Sequence, residues 1–404
     1  MKIAIIKERK NPPDRRVVFS PDACVALEKE YPNLTFEIEK SDVRFFSDDL
    51  YTDNGLKLVD DVSNCDVLLG VKEVPIDSLI NNKSYFFFSH TFKKQPYNRK
   101  LLQAILDKKI ELYDHEVITN TKEVRTVAFG RYAGIVGAYN GFRAYGLKYD
   151  LFELPKAENL KDQAHLISNL KEIKKELPNI KVVVTGKGKV AGGVKEMLDG
   201  MGVKEVDVDG FLTKNYNESV YTQLGCSDYV VRKDGKELGV KDFYTNPEAY
   251  KNNFMRFANV ADFYISAHYY GTGAPFIFTR DEAKSNQFNI KIVADVSCDI
   301  DGPVACTIRP STIAKPIYGY NAQTEKETDF KNEDAIAVMA VDNLPCELPN
   351  DASVGFGKMF AEHVIPAFFN NDADGVLERA RMTTKDGKLT KRFSYLQDYV
   401  DGKE

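Results

Sequence analysis

Three apolar runs in the first third of the chain each end in groups that handle charge or protons. Lys72 and Glu73 close "CDVLLGVKE". His90 closes "SYFFFSH" and is followed by Lys93, and Asp114 and Glu116 close "KIELYDHE". The stretch "FFFSHTFKKQ", Phe86 to Gln95, drives inward and then places an imidazole and an ammonium where the chain emerges. That combination suits the rim of an active site holding a substrate with several carboxylates while a proton and a hydride move. Taken singly, each residue has a plainer reading: a histidine after aromatics is usually a packed core residue, and a lone lysine a solvated surface charge. His115, His165, His268 and His363 have only that plainer reading, and the aromatic run Tyr85–Phe88 reads as core.

A second chemical feature lies near the middle of the chain. After the apolar segment 180–185 come Gly186-Lys187-Gly188-Lys189-Val190-Ala191, a GxGxxA turn that opens a helix and leads to a second short apolar run. The first glycine permits the tight turn, the second lets the backbone approach a pyrophosphate, and the small third residue lets the helix pack on the strand. The helix N-terminus offers unpaired N–H groups to phosphate oxygens. Asp207, near the end of the second strand, is placed to bond the ribose hydroxyls of NAD, with Asp209 as its rival. An acid there repels a 2′-phosphate, which favours NAD, whereas Lys187 and Lys189 leave NADP open. A third polar cluster, "KIVADVSCDIDGP", ends an apolar strand in Asp295, Ser297, Asp299 and Asp301. It reads either as an ordinary turn or as a segment facing the nicotinamide; a calcium loop would need alternating oxygen ligands with a glycine and a closing Glu.

These groups need elements to hold them. Short buried runs alternate with amphipathic stretches such as "NRKLLQAILDKK" across 1–130, as expected of a mostly parallel sheet whose ligands sit at the carboxyl ends of strands. "GRYAGIVGAYNGFRAYG" predicts a helix of small residues that packs closely and connects two domains. Residues 155–177 carry apolar positions at spacings of three and four and predict a surface helix stopped by Pro178. The polar stretch 321–335 predicts a loop, and Asp386-Gly387 a small hairpin in the tail.

The chain has 404 residues, enough for two cores, with 43% apolar and 28% charged residues and a net charge of −5. No cationic face marks a nucleic-acid partner, and no apolar run approaches the roughly 18–20 residues of a bilayer span. The start "MKIAIIKERK" lacks the pattern of a secretory signal, so the expected location is cytoplasmic. Six scattered cysteines form no CxxC pair and no zinc-ligand spacing, and are expected to be reduced thiols.

Taken in order, "GVKEVP", "FFFSHTFKKQ", "LYDHE", "VRTVAFGRYAGIVGA", "VVVTGKGKV", "DVSCDIDGP" and "VDNLPCELPNDAS" resemble the saccharopine dehydrogenase family along nearly the whole chain. Nearest are the lysine–2-oxoglutarate reductase domain of the bifunctional lysine-degrading enzyme and the lysine-forming saccharopine dehydrogenase of fungi. Alanine dehydrogenase and transhydrogenase are more distant. The resemblance implies an α/β protein of two doubly wound, Rossmann-like domains with an active-site cleft between them. Residues 1–135 with 345–404 would form the substrate domain and 136–344 the dinucleotide-binding domain. It implies reversible oxidative cleavage of saccharopine to lysine and 2-oxoglutarate through an imine. Lys72 and His90 would be the acid–base pair. Arg16, Glu73, Lys93, Glu116 and Arg125 would bind substrate, and Tyr269 with Asp295 or Asp299 would join the glycine turn in holding the cofactor. An amino-acid dehydrogenase of the alanine type and a non-catalytic nucleotide sensor are the competing readings. The oligomeric state is not legible.

Overall fold

The structure is a computed structural model describing residues 1–403. The chain divides into two compact units. The first is Met1–Phe129 together with the chain from Pro349 onward; the second is Gly130–Leu348.

The first unit is built on six strands: β1 (Lys2–Ile5), β2 (Thr35–Glu39), β3 (Lys57–Val59), β4 (Val67–Leu69), β5 (Ser84–Phe87) and β6 (Glu111–Asp114). All pair in parallel, in the order β3-β2-β1-β4-β5-β6. The chain therefore winds outward from β1 and then jumps back to β4. The β1/β4 border is the switch point, where ligands of such sheets bind outside the carboxyl ends. β1, β4, β5 and β6 are the four runs read from sequence. β2 and β3 were not read. β2 carries Glu37 and Glu39 at buried positions, and Glu37 is paired with Lys2 and Lys57, so its pattern does not read as apolar. The helix Arg99–Asp107 buries Leu101, Leu102 and Ile105 against the sheet. The tail supplies Met382, Phe393, Leu396 and Tyr399 to the same core. Its expected turn is formed, with Gly387 at φ +71° and Thr383 bridged to Leu389.

The second unit holds ten strands: β7 (Lys181–Thr185), β8 (Lys204–Glu205), β9 (Val220–Leu224), β10 (Val230–Arg232), β11 (Tyr250–Asn252), β12 (Phe263–Ser266), β13 (Ile292–Asp295), β14 (Ile317–Asn321), β15 (Lys326–Thr328) and β16 (Ala335–Met339). β10 and β11 pair with each other; the other eight form one sheet, ordered β15-β14-β16-β13-β12-β7-β9-β8. It is parallel except at β14 and β15. The expected loop over 321–335 is thus partly a β14–β15 hairpin. The helix expected over 155–177 is shorter, Gln163–Ile173, because Asp162 caps it by accepting the His165 N–H. The small-residue helix is Gly130–Tyr149, wholly within the second unit. Among the described residues no helix is long and apolar enough to cross a membrane.

Candidate functional site

In the first unit the carboxyl ends of β4, β5 and β6 deliver Lys72 with Glu73, His90, and Glu116. The Glu116 carboxylate is the hub. It accepts the His90 Nδ1–H at 3.1 Å and pairs with Lys93 Nζ at 2.9 Å and Arg125 Nη1 at 3.7 Å. Burial pushes this carboxyl up, but the His90 and Lys93 hydrogen bonds and the Lys93 and Arg125 charges outweigh it and hold it at about 2. Glu116 is therefore an anion at any working pH.

His90 is held by its backbone as well as its ring. It lies in the left-handed region at φ 54°, and its N–H donates to Asp114 Oδ2 at 2.9 Å. The same oxygen accepts from the Ser89 N–H and hydroxyl, while Oδ1 takes the Glu116 N–H at 2.8 Å. Asp114 is fully buried, and burial raises its carboxyl. Phe88 stacks on His90 with ring centroids 6.0 Å apart and lies under the Arg125 guanidinium at 5.5 Å. So the last residue of the aromatic run is not only core, as read from sequence, but also a platform. His115 takes the plainer role: fully buried, it donates from Nε2 to the Gly70 carbonyl at 2.8 Å, and burial pushes it down to about 3.

Beside Lys72 lies a group that sequence reasoning missed. Asp14 binds Arg16 through Arg16 Nε at 3.0 Å and Nη2 at 2.6 Å. Burial raises the Asp14 carboxyl, the Arg16 charge and hydrogen bonds more than reverse that, and Lys72 adds to the lowering, leaving it at about 2. Arg16 is 3% exposed and its guanidinium stacks on Phe129 at 4.2 Å. Its Nε and Nη2 thus meet an internal carboxylate, as Lys93 and Arg125 meet Glu116. Glu73 pairs with Lys10 at 2.9 Å. No residue spacing announces Asp14, which sits inside a charged run.

In the second unit β7 runs into the glycine turn and the helix Lys189–Met201. Gly186 is at φ +107°, and a Cβ there would lie 2.3 Å from the Ala267 carbonyl oxygen, so only glycine fits. Gly188 caps the helix with no side-chain bond, and the space its Cβ would enter is open. Lys189, Val190 and Ala191 form the first turn. An open N-terminal turn beneath a bare glycine fits a pyrophosphate. His268, at the end of β12, holds Thr185 Oγ1 at 2.9 Å from Nδ1, and burial pushes its imidazole down to about 4.

Three of the acids expected at the cofactor have local structural roles. β9, not β8, lies beside β7; β8 sits outside β9 and pairs only with its first residues, Val220 and Tyr221. Asp207 follows β8 and caps the helix Val208–Thr213, accepting the Gly210 N–H at 2.7 Å; Asp209 is on that helix and not on a strand. The residues flanking the glycine turn come from β9 instead: Leu224 accepts the Gly186 N–H, and Gln223 donates to the Gly186 carbonyl, both at 2.9 Å. Asp295 is fully buried, where it accepts Ser297 Oγ at 2.6 Å, Thr307 Oγ1 at 2.7 Å and the Ser297 and Cys298 N–H groups. It braces its own loop; Asp299, at the surface with its carboxyl raised by partial burial and by Asp295, and Asp301, paired with Arg280, are the accessible acids there. Tyr269 is 79% exposed.

Residues 4–136 match the family "Alanine dehydrogenase/PNT, N-terminal domain". Alpha-aminoadipic semialdehyde synthase of Rattus norvegicus, named as mitochondrial, is 27% identical over all of this chain and 48% of its own length. The Arabidopsis thaliana synthase is 27% identical over 98% of this chain and 41% of its own. Saccharopine dehydrogenase [NAD(+), L-lysine-forming] of Yarrowia lipolytica is 23% identical, covering 82% of each. The chain's relatives are saccharopine dehydrogenases and alpha-aminoadipic semialdehyde synthases. The resemblance carried by the motifs therefore holds. The chain spans about half the length of the synthases it matches. Among solved structures, an L-alanine dehydrogenase superposes with a TM-score of 0.64 at 16% identity, covering 100% of this chain and 99% of that one. The transhydrogenase from Sinorhizobium meliloti gives 0.57 at 13%, covering 96% and 100%. These two likenesses bear on the fold, and they bear out a two-domain α/β architecture with parallel sheets. Among the described residues no cluster of His, Cys, Asp or Glu could hold a metal ion.

Proposed function

We propose that the chain is a nicotinamide-dependent oxidoreductase acting on a CH–NH bond, cleaving saccharopine to lysine and 2-oxoglutarate or running the reverse. The observation that carries this is the cluster of His90, Lys93 and Arg125 around Glu116 at the carboxyl ends of β5 and β6, with Lys72 following the neighbouring strand β4. The relatives' names, saccharopine dehydrogenase among them, supply the substrate class. Bound at the glycine turn, the nicotinamide would take or give the hydride.

The chain's own residues move the protons. The secondary amine must be neutral before hydride leaves, water must lose a proton as it adds to the imine, and the departing lysine must regain one. His90 and Lys72 are the groups assigned to these transfers, which contribute roughly 10²–10⁴-fold. Arg125 and Lys93 attract carboxylates, and Glu116 suits the lysine ammonium group. Glu73, tied to Lys10, borders the same site. Asp299 and Tyr269 remain assigned to the cofactor side. NAD is the cofactor of this reading, as in the name of the Yarrowia relative. Asp207, occupied as a helix cap, no longer argues against NADP. The six free cysteines fit a reducing compartment, the cytoplasm in this reading.

The test follows absorbance of reduced nicotinamide with lysine plus 2-oxoglutarate, and with pyruvate plus ammonia, each with NADH and NADPH. Turnover of the first pair, lost by 10²-fold or more in Lys72→Met and His90→Gln, is expected. Turnover of pyruvate with ammonia alone would establish the alanine-type alternative. Folded protein inactive with every combination would sink the enzyme reading.

A further inference from the structure

The turn that carries Lys72 lies at the β1/β4 switch point, and its backbone hydrogen bonds can be accounted for one by one. The Gly70 N–H donates to Phe86 and the Gly70 carbonyl accepts from His115. The Val71 carbonyl accepts the Phe88 N–H at 3.0 Å. Two successive donors remain, the N–H groups of Val71 and Lys72. Both point at one side chain from the other side of the switch: Glu8, just past β1, whose Oε1 accepts from Val71 at 2.6 Å and Oε2 from Lys72 at 2.9 Å. The approach is close, since a Cβ on Gly70 would lie 3.0 Å from Ile6 Cδ1 and 3.5 Å from Glu8 Oε1. Lys10, two residues on, ties the same two segments again through Glu73 at 2.9 Å.

We propose that Glu8 is a positioning residue: by accepting both amides it sets the backbone turn from which Lys72 presents its amine. The proposal rests on the role given to Lys72 above. A carboxylate is the only side chain with two equivalent acceptors at that spacing, and charged acceptors make the stronger hydrogen bonds. Burial pushes the Glu8 carboxyl up to about 7; the two N–H bonds and Arg16 pull it down, and Asp14 pushes it up. Its clamp is therefore strongest above neutral pH, because protonation puts a donor where an acceptor is needed. Asp14 and Arg16 act on Glu8 directly, Lys72 acts on Asp14, and the Lys10–Glu73 pair and the buried His115 on Gly70 complete the charged and titratable groups named at this corner.

The experiment compares wild type with Glu8→Gln and Glu8→Asp. Glutamine turns one acceptor into a donor facing an N–H, and a displacement of about 1 Å in a catalytic group costs up to about 10²-fold. Glu8→Gln is expected to lower kcat about 10–100-fold with KM for lysine and 2-oxoglutarate within about threefold, and to flatten the fall in kcat below neutral pH. Aspartate keeps the charge but reaches one amide, so an intermediate kcat is expected. Hydrogen exchange of the Val71 and Lys72 amides should quicken about tenfold or more in Glu8→Gln, with β4 amides unchanged. Full kcat in Glu8→Gln, or unchanged exchange at both amides, overturns the proposal. Should Glu8→Gln not fold, Glu8→Asp carries both measurements. If wild type itself fails to turn over lysine with 2-oxoglutarate, the functional reading falls, and the exchange data alone decide the clamp.

Discussion

Asp114 shows how much of a site is set by a group that touches no ligand. One buried carboxylate gathers the backbones of Ser89, His90 and Glu116, so the imidazole and its acidic partner share a single anchor. Asp114→Asn replaces one acceptor oxygen with an NH₂ facing N–H donors. Leaving buried donors unmet costs about 1–3 kcal/mol each. The expected result is a loss of kcat/KM of about 10²-fold and a lower urea midpoint, measured by initial rates and equilibrium unfolding. The residue types at Lys72, His90 and Glu116 were legible because each ends an apolar run. Asp114 was legible only as one more polar ending, and Glu8 and Asp14 were not legible at all. Glu8 meets amides more than sixty positions along the chain, and Asp14 meets Arg16 two residues on; neither pairing follows a helix or strand period, so spacing carries no record of them.

Among elements, the decisive contact in the second unit is between two helices. Gly130–Tyr149 and Lys189–Met201 cross backbone to backbone: a Cβ on Gly134 would fall 1.9 Å from the Val190 carbonyl oxygen, and one on Gly193 would fall 2.0 Å from that of Arg131. The small-residue helix promised a close approach without naming what it approaches. The approach seats Val190, and with it the helix end that follows the glycine turn. Gly134→Ala should force the helices apart, cost about 1–3 kcal/mol or more and raise KM for the nicotinamide. Thermal unfolding and cofactor titration check this; an unchanged melting midpoint would contradict it. Strand existence was legible for β1, β4, β5, β6 and β7, whose residues are short buried runs. Strand order was not. β9, not β8, borders β7 and the glycine turn, and a local pattern cannot tell which strand becomes a neighbour.

At the scale of the molecule, two units each bury charge that pH can move. In the second, Glu347 is 2% exposed with one bond from Asn140 at 2.9 Å, and burial pushes its carboxyl up to about 7. The fold therefore favours its protonated form. That contribution is full below the ordinary carboxyl value of about 4.5 and is lost as pH rises through about 7. Glu347→Gln keeps an acceptor for Asn140 and cannot ionise. At pH 8 it should be more stable than wild type by roughly 2–3 kcal/mol, with the difference vanishing near pH 4.5, as read from urea midpoints across pH.

What the amino-acid sequence determined by itself is local: buried runs of strand length, a glycine turn opening a helix, and proton-bearing residues where strands end. These follow from periodicity and from backbone sterics, which act over a few neighbours. The tertiary structure decided which endings meet, which acids become caps or braces instead of ligand contacts, and that a carboxylate beyond β1 holds the turn beyond β4. Hydrogen bonds and ion pairs act over a few ångströms in space, and only the folded chain brings residues sixty or more positions apart within that reach.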